Sequence, residues 1–594
     1  MIVYREQQET VDSFSCVRGM TGVLRRRGYA EHEDAVRLLI DLGEFETAVA
    51  DALGTEANLV TPITGLLRQM SLLAGHLFYW SWMGSADNVA LWAARLEQVL
   101  EKVAALPLPK TLEVRVSEGY AYYSLAPETY LEAAAKFRRD VGQVRAVCIG
   151  IRSIGTSLSA VVAAALEEHG CRVESYTVRC HGHPFDRRVQ FDPATTEKIR
   201  LLRNRHYLIV DEGPGLSGST LCCVADRLSE FGVPDSRIAF FPGHDVDAAK
   251  LFSEKARSRW LRHRKYLVDF DEVWVRNGRL TQSLPEGRLT DISAGMWRPL
   301  VFKDESAYPA VQPWHERRKY LYLKYGAKGE EPDFAAAISP AQPQSHSTPL
   351  LLKFAGFGRY GESTYARAAL LARAGFHPPV LGLSHGFLVM EFVHGEPMRR
   401  RDIDRLFLDH VARYLARLNR IPATAVQMSP DELMHMIEVN VAEGLGPRWL
   451  ARLRRAGLSL PSKEHPTGIT DGRMLLHEWL RTTRGYVKTD GVDHYTDHFS
   501  PGCGDAAWDI AACIAEWDLS PSLRNYLIGQ YVTATGDTGL KERLRFYRLA
   551  YLAHRLGYAT MAAQGLGAHS ADGKRFETLA RGYSGLLKRD LSRS

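Results

Sequence analysis

The sequence predicts a multidomain protein of α/β and α+β class: a helical N-terminal region, a parallel-sheet domain and a bilobal C-terminal domain. Three observations predict it. The chain has 594 residues, more than one hydrophobic core serves. Apolar residues at helical spacing give way, after Pro107 and Pro109, to alternating strand and helix patterns, the sign of a parallel sheet with crossovers. A second strand-rich pattern begins at Leu350 and passes into helix towards the C-terminus. The expected domains are 1–108, 109–295 and 296–594, the last dividing near residue 395.

The elements follow in order. Ala35–Leu53, Leu59–Trp82 and Val89–Ala105 read as helices without a chemical motif, hence as a cap or interaction layer. Leu112–Leu125 reads as a strand or hairpin and Pro127–Asp140 as a helix. Next come strand Ala146–Ile151, helix Leu158–His169, strand Arg172–Val178 and the charged segment Cys180–Arg205. Strand His206–Val210, helix Thr220–Phe231 and strand Arg237–Phe241 complete the alternation. Phe252–Tyr266 is strongly basic and reads as a helix with a solvated face; Val268–Val275 reads as a strand. Gly326–Pro349, polar and rich in Pro, Gly, Ser and Gln, reads as a linker or long loop. Leu350–Phe354, Val380–Leu383 and Phe387–Phe392 read as strands, with helix Glu362–Ala374 after the first.

Composition narrows the function classes. Apolar content of 45% and charged content of 24% are ordinary for a globular protein. The net charge of +6 permits a phosphorylated substrate, and no basic run interleaved with aromatics argues for nucleic acid. The cysteines at 16, 148, 171, 180, 222, 223, 503 and 513 lack metal spacing and suggest a reducing compartment. No signal core and no long apolar stretch is evident, so a cytoplasmic protein without a membrane partner is expected.

The most informative run is His206–Leu221, HYLIVDEGPGLSGSTL. An apolar strand ends in Asp211 and Glu212, at the sheet edge where ligands of open α/β folds collect. Gly213, Gly215 and Gly218 allow close backbone approach, and Ser217, Ser219 and Thr220 offer hydroxyls beside the free N–H groups of a starting helix. Vicinal acids suit ribose hydroxyls, and the N–H nest suits a 5-phosphate. This run resembles the PRPP-binding motif of type I phosphoribosyltransferases. The resemblance covers about Leu112–His244 and implies that Arg152, Ser153, Ile154 and Gly155, in the loop before the helix at Leu158, contact pyrophosphate. It also implies that basic residues of Arg179–Arg188, Arg187 among them, neutralise the leaving group. Asp211 and Glu212 would hold the ribose during transfer at C1, with Mg²⁺ bridging pyrophosphate and Asp211 as a metal ligand. Four residues, Gly213–Leu216, separate the acids from Ser217, one more than family loops usually carry.

The C-terminal half resembles the aminoglycoside and choline phosphotransferase group of kinase-like folds. The run PLLLKF places Lys353 on a strand as the ATP-contacting lysine, and Gly386–Pro397 looks like a strand entering a hinge. The resemblance implies adenine bonded to the main chain at Glu391 and Val393, Asp471 as catalytic base and Asp490 as metal ligand. No Asn follows Asp471 at the usual spacing; His477 and Glu478 stand there. Trp508–Ala511 resembles the Asp–Leu–Ala segment that braces the catalytic loop, Asp493, Asp497 and Asp505 are further acids, and Glu362 is a candidate partner for Lys353. Together the motifs imply a two-module enzyme using Mg²⁺, PRPP and ATP on a phosphorylated small molecule, a nucleoside or sugar metabolite. The alternative is a nucleotide-sensing stress or defence protein with one or both modules inactive.

Overall fold

The computed structural model describes residues 1–25, 31–54, 57–215, 217–326, 348–423, 427–461, 468–502 and 504–593. Most of the polar run 326–349, expected as a linker or loop, lies outside the described residues, as do Leu216 and Cys503. The chain forms two compact units. One comprises Gln8–Leu284 with Gly356–Glu362, the other Met1–Gln7, Pro285–Ala355 and Ser363–Ser594.

In the first unit, β1 (Gln8–Asp12) pairs antiparallel with β2 (Thr111–Arg115), apart from the main sheet. The expected strand or hairpin Leu112–Leu125 is therefore corrected. Only its start is strand, and Glu118–Ala121 is a single helical turn. The reason lies in the alternation: Leu112 and Val114 are buried while Thr111 and Glu113 face out, a strand with one wet face. The main sheet has β3 (Arg145–Ile151), β4 (Arg172–Val178), β5 (His206–Val210), β6 (Ile238–Phe241) and β7 (Arg264–Lys265), all parallel, in the order β4-β3-β5-β6-β7. β3, β5 and β6 are buried almost end to end, as apolar strands covered on both faces must be.

The helical N-terminal segment is a layer on this sheet domain. Helices His32–Leu53 and Pro62–Trp82 pack on Gly155–Glu168 through Gly43 and Gly75, where a Cβ would strike Ser157 and the Ala160 carbonyl. Helix Pro193–Leu201 arises inside the charged segment, because Asp192 accepts from the Ala194 and Thr195 N–H groups and Pro193 takes the first helical position. Val268–Val275 is a second correction. Asp271–Val275 forms a π-helical turn that buries the adjacent Val273 and Trp274 together, which a strand would send to opposite faces.

The second unit opens with an antiparallel sheet of β8 (Gly287–Asp291), β9 (Lys319–Lys324), β10 (Leu350–Phe354), β11 (Val380–Ser384) and β12 (Phe387–Glu391), ordered β11-β12-β10-β9-β8. A small sheet, β13 (Glu396–Pro397), β14 (Trp479–Thr482) and β15 (Gly485–Lys488), leads into a helical part. Helices Arg405–Leu418, Pro430–Leu445, Ala506–Glu516, Leu540–Leu566 and Ala571–Ser592 share one extensive core. Among the described residues no helix is long and apolar enough to cross a membrane.

This core holds several histidines neutral. Burial pushes His315, His377, His410 and His498 down to about 4. Because their folded pKa lies below the unfolded value near 6.5, the unfolded chain binds more protons between those limits. Their stabilising contribution is complete above about pH 6.5 and is lost as pH falls towards 4. His410 sits edge-on to Phe376, Trp479 and Tyr486 at centroid distances of 5.0, 5.9 and 5.7 Å. Urea unfolding of this unit is therefore expected to weaken steeply between pH 7 and 5. His410→Phe should flatten that slope by up to about 1.4 kcal/mol per pH unit; an unchanged slope would refute the assignment.

Candidate active site

In the second unit Lys353, Glu391, Val393 and Asp490, four of the residues expected for a kinase-like site, line one cleft of about 1210 Å³. Lys353 on β10 is 4% exposed, and its ammonium donates to Asp490 at 2.5 Å and Asp493 at 3.0 Å. Asp490 follows β15, and Arg317 approaches the other oxygen of Asp493 at 3.4 Å. Burial would raise both carboxylates, but Lys353 outweighs it and holds them well below the usual range. Asp493 thus joins Asp490 and Lys353. The sequence offered it only as one of several further acids.

The segment expected as a hinge follows β12, which ends at Glu391. The Glu391 N–H donates to Pro379 O at 3.0 Å and that of Phe392 to Pro349 O at 2.8 Å. Among the described residues nothing bonds to the Val393 main chain, and Glu391, Phe392 and Val393 line the cleft. Glu362 is not the partner of Lys353: both its carboxylate oxygens accept from Arg37 at 2.8 Å, within the first unit. Its place at the start of helix Arg359–Arg373 puts it in that unit.

Asp471 is a further correction. It is fully buried and does not line the cleft. Lys488 lies 3.2 Å from it, Tyr414 donates to it at 2.7 Å, and His494 stands at 3.4 Å. The Lys488 ammonium, shared with Glu478 at 2.6 Å, has drawn the carboxylate inward. Gly491, at φ +129°, is required here because a Cβ would lie 2.5 Å from Asp471 Oδ2. Asp509 braces the loop as expected, accepting from the Asp471 N–H at 2.8 Å and the Gly472 N–H at 2.9 Å. Asp505 instead pairs with Arg543 at 2.6 Å.

Asp490, Asp493 and His494 bring one donor atom each within 4.8 Å of one another. The two carboxylates are hard oxygen donors suited to Mg²⁺; the imidazole of His494 is a softer ligand. The donor set fits a divalent cation through Asp490 and Asp493.

In the first unit, Asp211 and Glu212 follow β5 and carry no ion pair among the described residues. Burial pushes Asp211 up to about 7, against the Glu212 N–H and Arg179. Burial and then the neighbouring Asp211 push Glu212 up to about 8. Gly155 lets the preceding loop approach β5, since a Cβ there would lie 2.5 Å from Val210 O. Arg152 is buried at the end of β3, and its guanidinium donates to Asp51 at 3.1 Å. The Ser153 carbonyl accepts the Thr156 N–H at 3.1 Å. Gly215 and Gly218 adopt φ of +57° and +67°, and Ser217 and Ser219 bond each other at 2.9 Å. Helix Ser219–Glu230, which includes Thr220, starts without a side-chain cap, and Ser219 Oγ donates to Pro184 O of the basic loop at 2.6 Å.

Arg187 is turned onto its own loop, donating to Gly182 O at 2.8 Å. Arg179 is the basic-loop residue whose charge reaches Asp211; it donates to Arg152 O at 2.7 Å and pairs with Asp51. Asp51, at the end of helix His32–Leu53, is a positioning residue missed in the sequence. A lone Asp in an amphipathic helix carries no signal until its arginines arrive.

No family model matches the sequence, and no curated protein matches it. Solved structures similar to the chain include a choline/ethanolamine kinase family protein from Mesorhizobium loti (16% identity, TM-score 0.31, covering 41% of this chain and 83% of that one). An ethanolamine kinase from Plasmodium vivax gives 10% identity and a TM-score of 0.32, covering 58% of this chain and 92% of its own. A macrolide 2′-phosphotransferase from Brachybacterium faecium gives 13% and 0.31, with coverage of 52% and 96%.

The brace is open to test. Asp509→Ala leaves two buried N–H groups unpaired and should cost about 2–4 kcal/mol in urea unfolding. Asp509→Asn, which keeps one acceptor oxygen, should cost less; equal losses would show that the two hydrogen bonds do not set the loop.

Proposed function

We propose that the chain is a two-module transferase whose second unit passes a phosphoryl group from ATP to a small molecule. The observation that carries this reading is the meeting of Lys353 with Asp490 and Asp493 in one cleft, whose lining includes the Val393 main chain, unbonded among the described residues. In the proposed reaction Val393 and Glu391 receive the adenine edge. Lys353 releases its acids and steadies the phosphates, and Asp490 and Asp493 hold Mg²⁺. The bound Mg²⁺ would neutralise charge on the phosphate oxygens. Phosphoryl transfer of this kind rests on positioning and charge neutralisation more than on a strong base. Asp471 accordingly acts through the loop it anchors.

ADP release in the presence of Mg²⁺ tests this. Lys353→Ala and Asp490→Asn should each lower turnover by about 10²–10³-fold. AMP-PNP binding without turnover by the wild-type protein would assign a sensing role instead, and no AMP-PNP binding would end the reading.

A second reading, for the first unit, rests on Asp211 and Glu212, which form no ion pair among the described residues, beside two small-residue loops. We propose that they hold the hydroxyls of a PRPP-type sugar phosphate, with Gly215–Thr220 around the 5-phosphate and Arg152–Gly155 at the pyrophosphate. Asp211, with its oxygen donor, would share a Mg²⁺ with the sugar phosphate. Arg179, held by Asp51, is the cation best placed for the departing pyrophosphate. Binding of PRPP with Mg²⁺, measured by calorimetry, should weaken at least tenfold, about 1.4 kcal/mol, in Asp211→Asn. Equal affinity in the variant would remove the module's assignment and leave that of the second unit standing.

A further inference from the structure

The cleft of the second unit contains a guanidinium that no described residue bonds or pairs with. Arg473 stands two residues after Asp471, on main chain fixed by Asp509 and by Trp508, whose indole donates to Gly472 O at 3.1 Å. Its own N–H donates to Asp471 Oδ1 at 3.2 Å. Its guanidinium lines the cleft and a small recess beside it, and makes no hydrogen bond or ion pair among the described residues.

The acids around it are engaged elsewhere. Glu478 is bonded to Lys488 and Asp490 to Lys353, while Asp497, which lines the same cleft and recess, accepts from the Phe499 N–H at 2.8 Å and lies 3.9 Å from His498. They supply a favourable field but no contact. A half-buried guanidinium is always charged and carries five N–H donors in a fixed fork, so leaving them all unbonded is costly.

A second cation lines the same recess. Arg555 is 6% exposed and lies 5.3 and 5.6 Å from the ring centroids of Tyr558 and Tyr583. Its contacts are long: 3.4 Å to Tyr583 Oη and 3.8 Å to Glu516. Glu516 in turn accepts from Tyr551 and Tyr583 at 2.6 and 2.7 Å, so its charge is already shared. His315 and Tyr558, their polar atoms 3.1 Å apart, also line the recess, together with His494 and the carboxylate of Asp497.

Two underused arginines with aromatic walls form a receptor for an oxyanion and repel a quaternary or primary ammonium. Resting on the phosphotransferase reading above, we infer that the acceptor carries a phosphate monoester or carboxylate, which Arg473 and Arg555 grip while its hydroxyl faces Asp490. Arg473 and Arg555 thus set the substrate class, and the cleft excludes cationic acceptors.

The test uses the full-length protein with ATP and Mg²⁺. ADP release is followed with ribose 5-phosphate, glucose 6-phosphate and 3-phosphoglycerate as anionic probes, and with choline, ethanolamine and kanamycin as cationic ones. At least one anionic probe should stimulate turnover, and no cationic probe should. Arg473→Gln should raise the KM of that probe tenfold or more with the KM of ATP within about twofold, and Arg473→Lys should recover part of the loss. Stimulation by a cationic probe, an unchanged probe KM in Arg473→Gln, or AMP-PNP binding with no stimulation by any anion would overturn the inference. Absence of AMP-PNP binding would strike the phosphotransferase reading itself, and this inference would fall with it.

Discussion

One buried ammonium organises the second unit. Lys353 stands on a strand of the antiparallel sheet, and its charge is met by two aspartates on the segment after β15. An isolated ammonium at that depth would cost several kcal/mol, so the sheet and the segment after β15 have to stay together to keep it paired. Other features serve the same constraint. Gly491 removes the side chain that would strike Asp471, Lys488 gathers Asp471 and Glu478, and Asp509 clamps the loop that ends in Arg473.

The two units treat paired acids in opposite ways. Asp490 and Asp493 are balanced by Lys353 and stay ionised. Asp211 and Glu212 have no such cation, and burial drives both towards protonation. A ligand that offers hydroxyl donors or a metal ion relieves their desolvation directly.

Much of this was legible in the sequence wherever a short run carried its own pattern. The apolar runs of β3, β5 and β6, the glycines after Asp211 and the lysine of PLLLKF are local signals, and the structure places each on the expected element. What stayed hidden depends on partners distant in the chain. Asp51 is polar filler in a helix until Arg152 and Arg179 meet it. Asp493 looked like one acid among several until Lys353 selected it. Glu362 stood close to Lys353 in sequence, but the helix it opens delivers it to Arg37. Val268–Val275 has strand-like composition, yet burying Val273 and Trp274 side by side takes a helical turn.

Residues Gly356–Glu362 carry a consequence for how such a chain is inherited. They follow closely on the strand of Lys353, yet they belong with Gln8–Leu284, where Arg359 is enclosed by Glu9, Asp41 and Glu44 and the Tyr360 hydroxyl donates to Glu44 at 2.5 Å. Cutting the polypeptide at residue 284 would strip Glu44, which is 3% exposed, of its guanidinium and leave Arg359 without acids. A buried charge that loses its partner costs about 3–5 kcal/mol. The modules are therefore interleaved: recombination that exchanged one as a contiguous cassette would break the other.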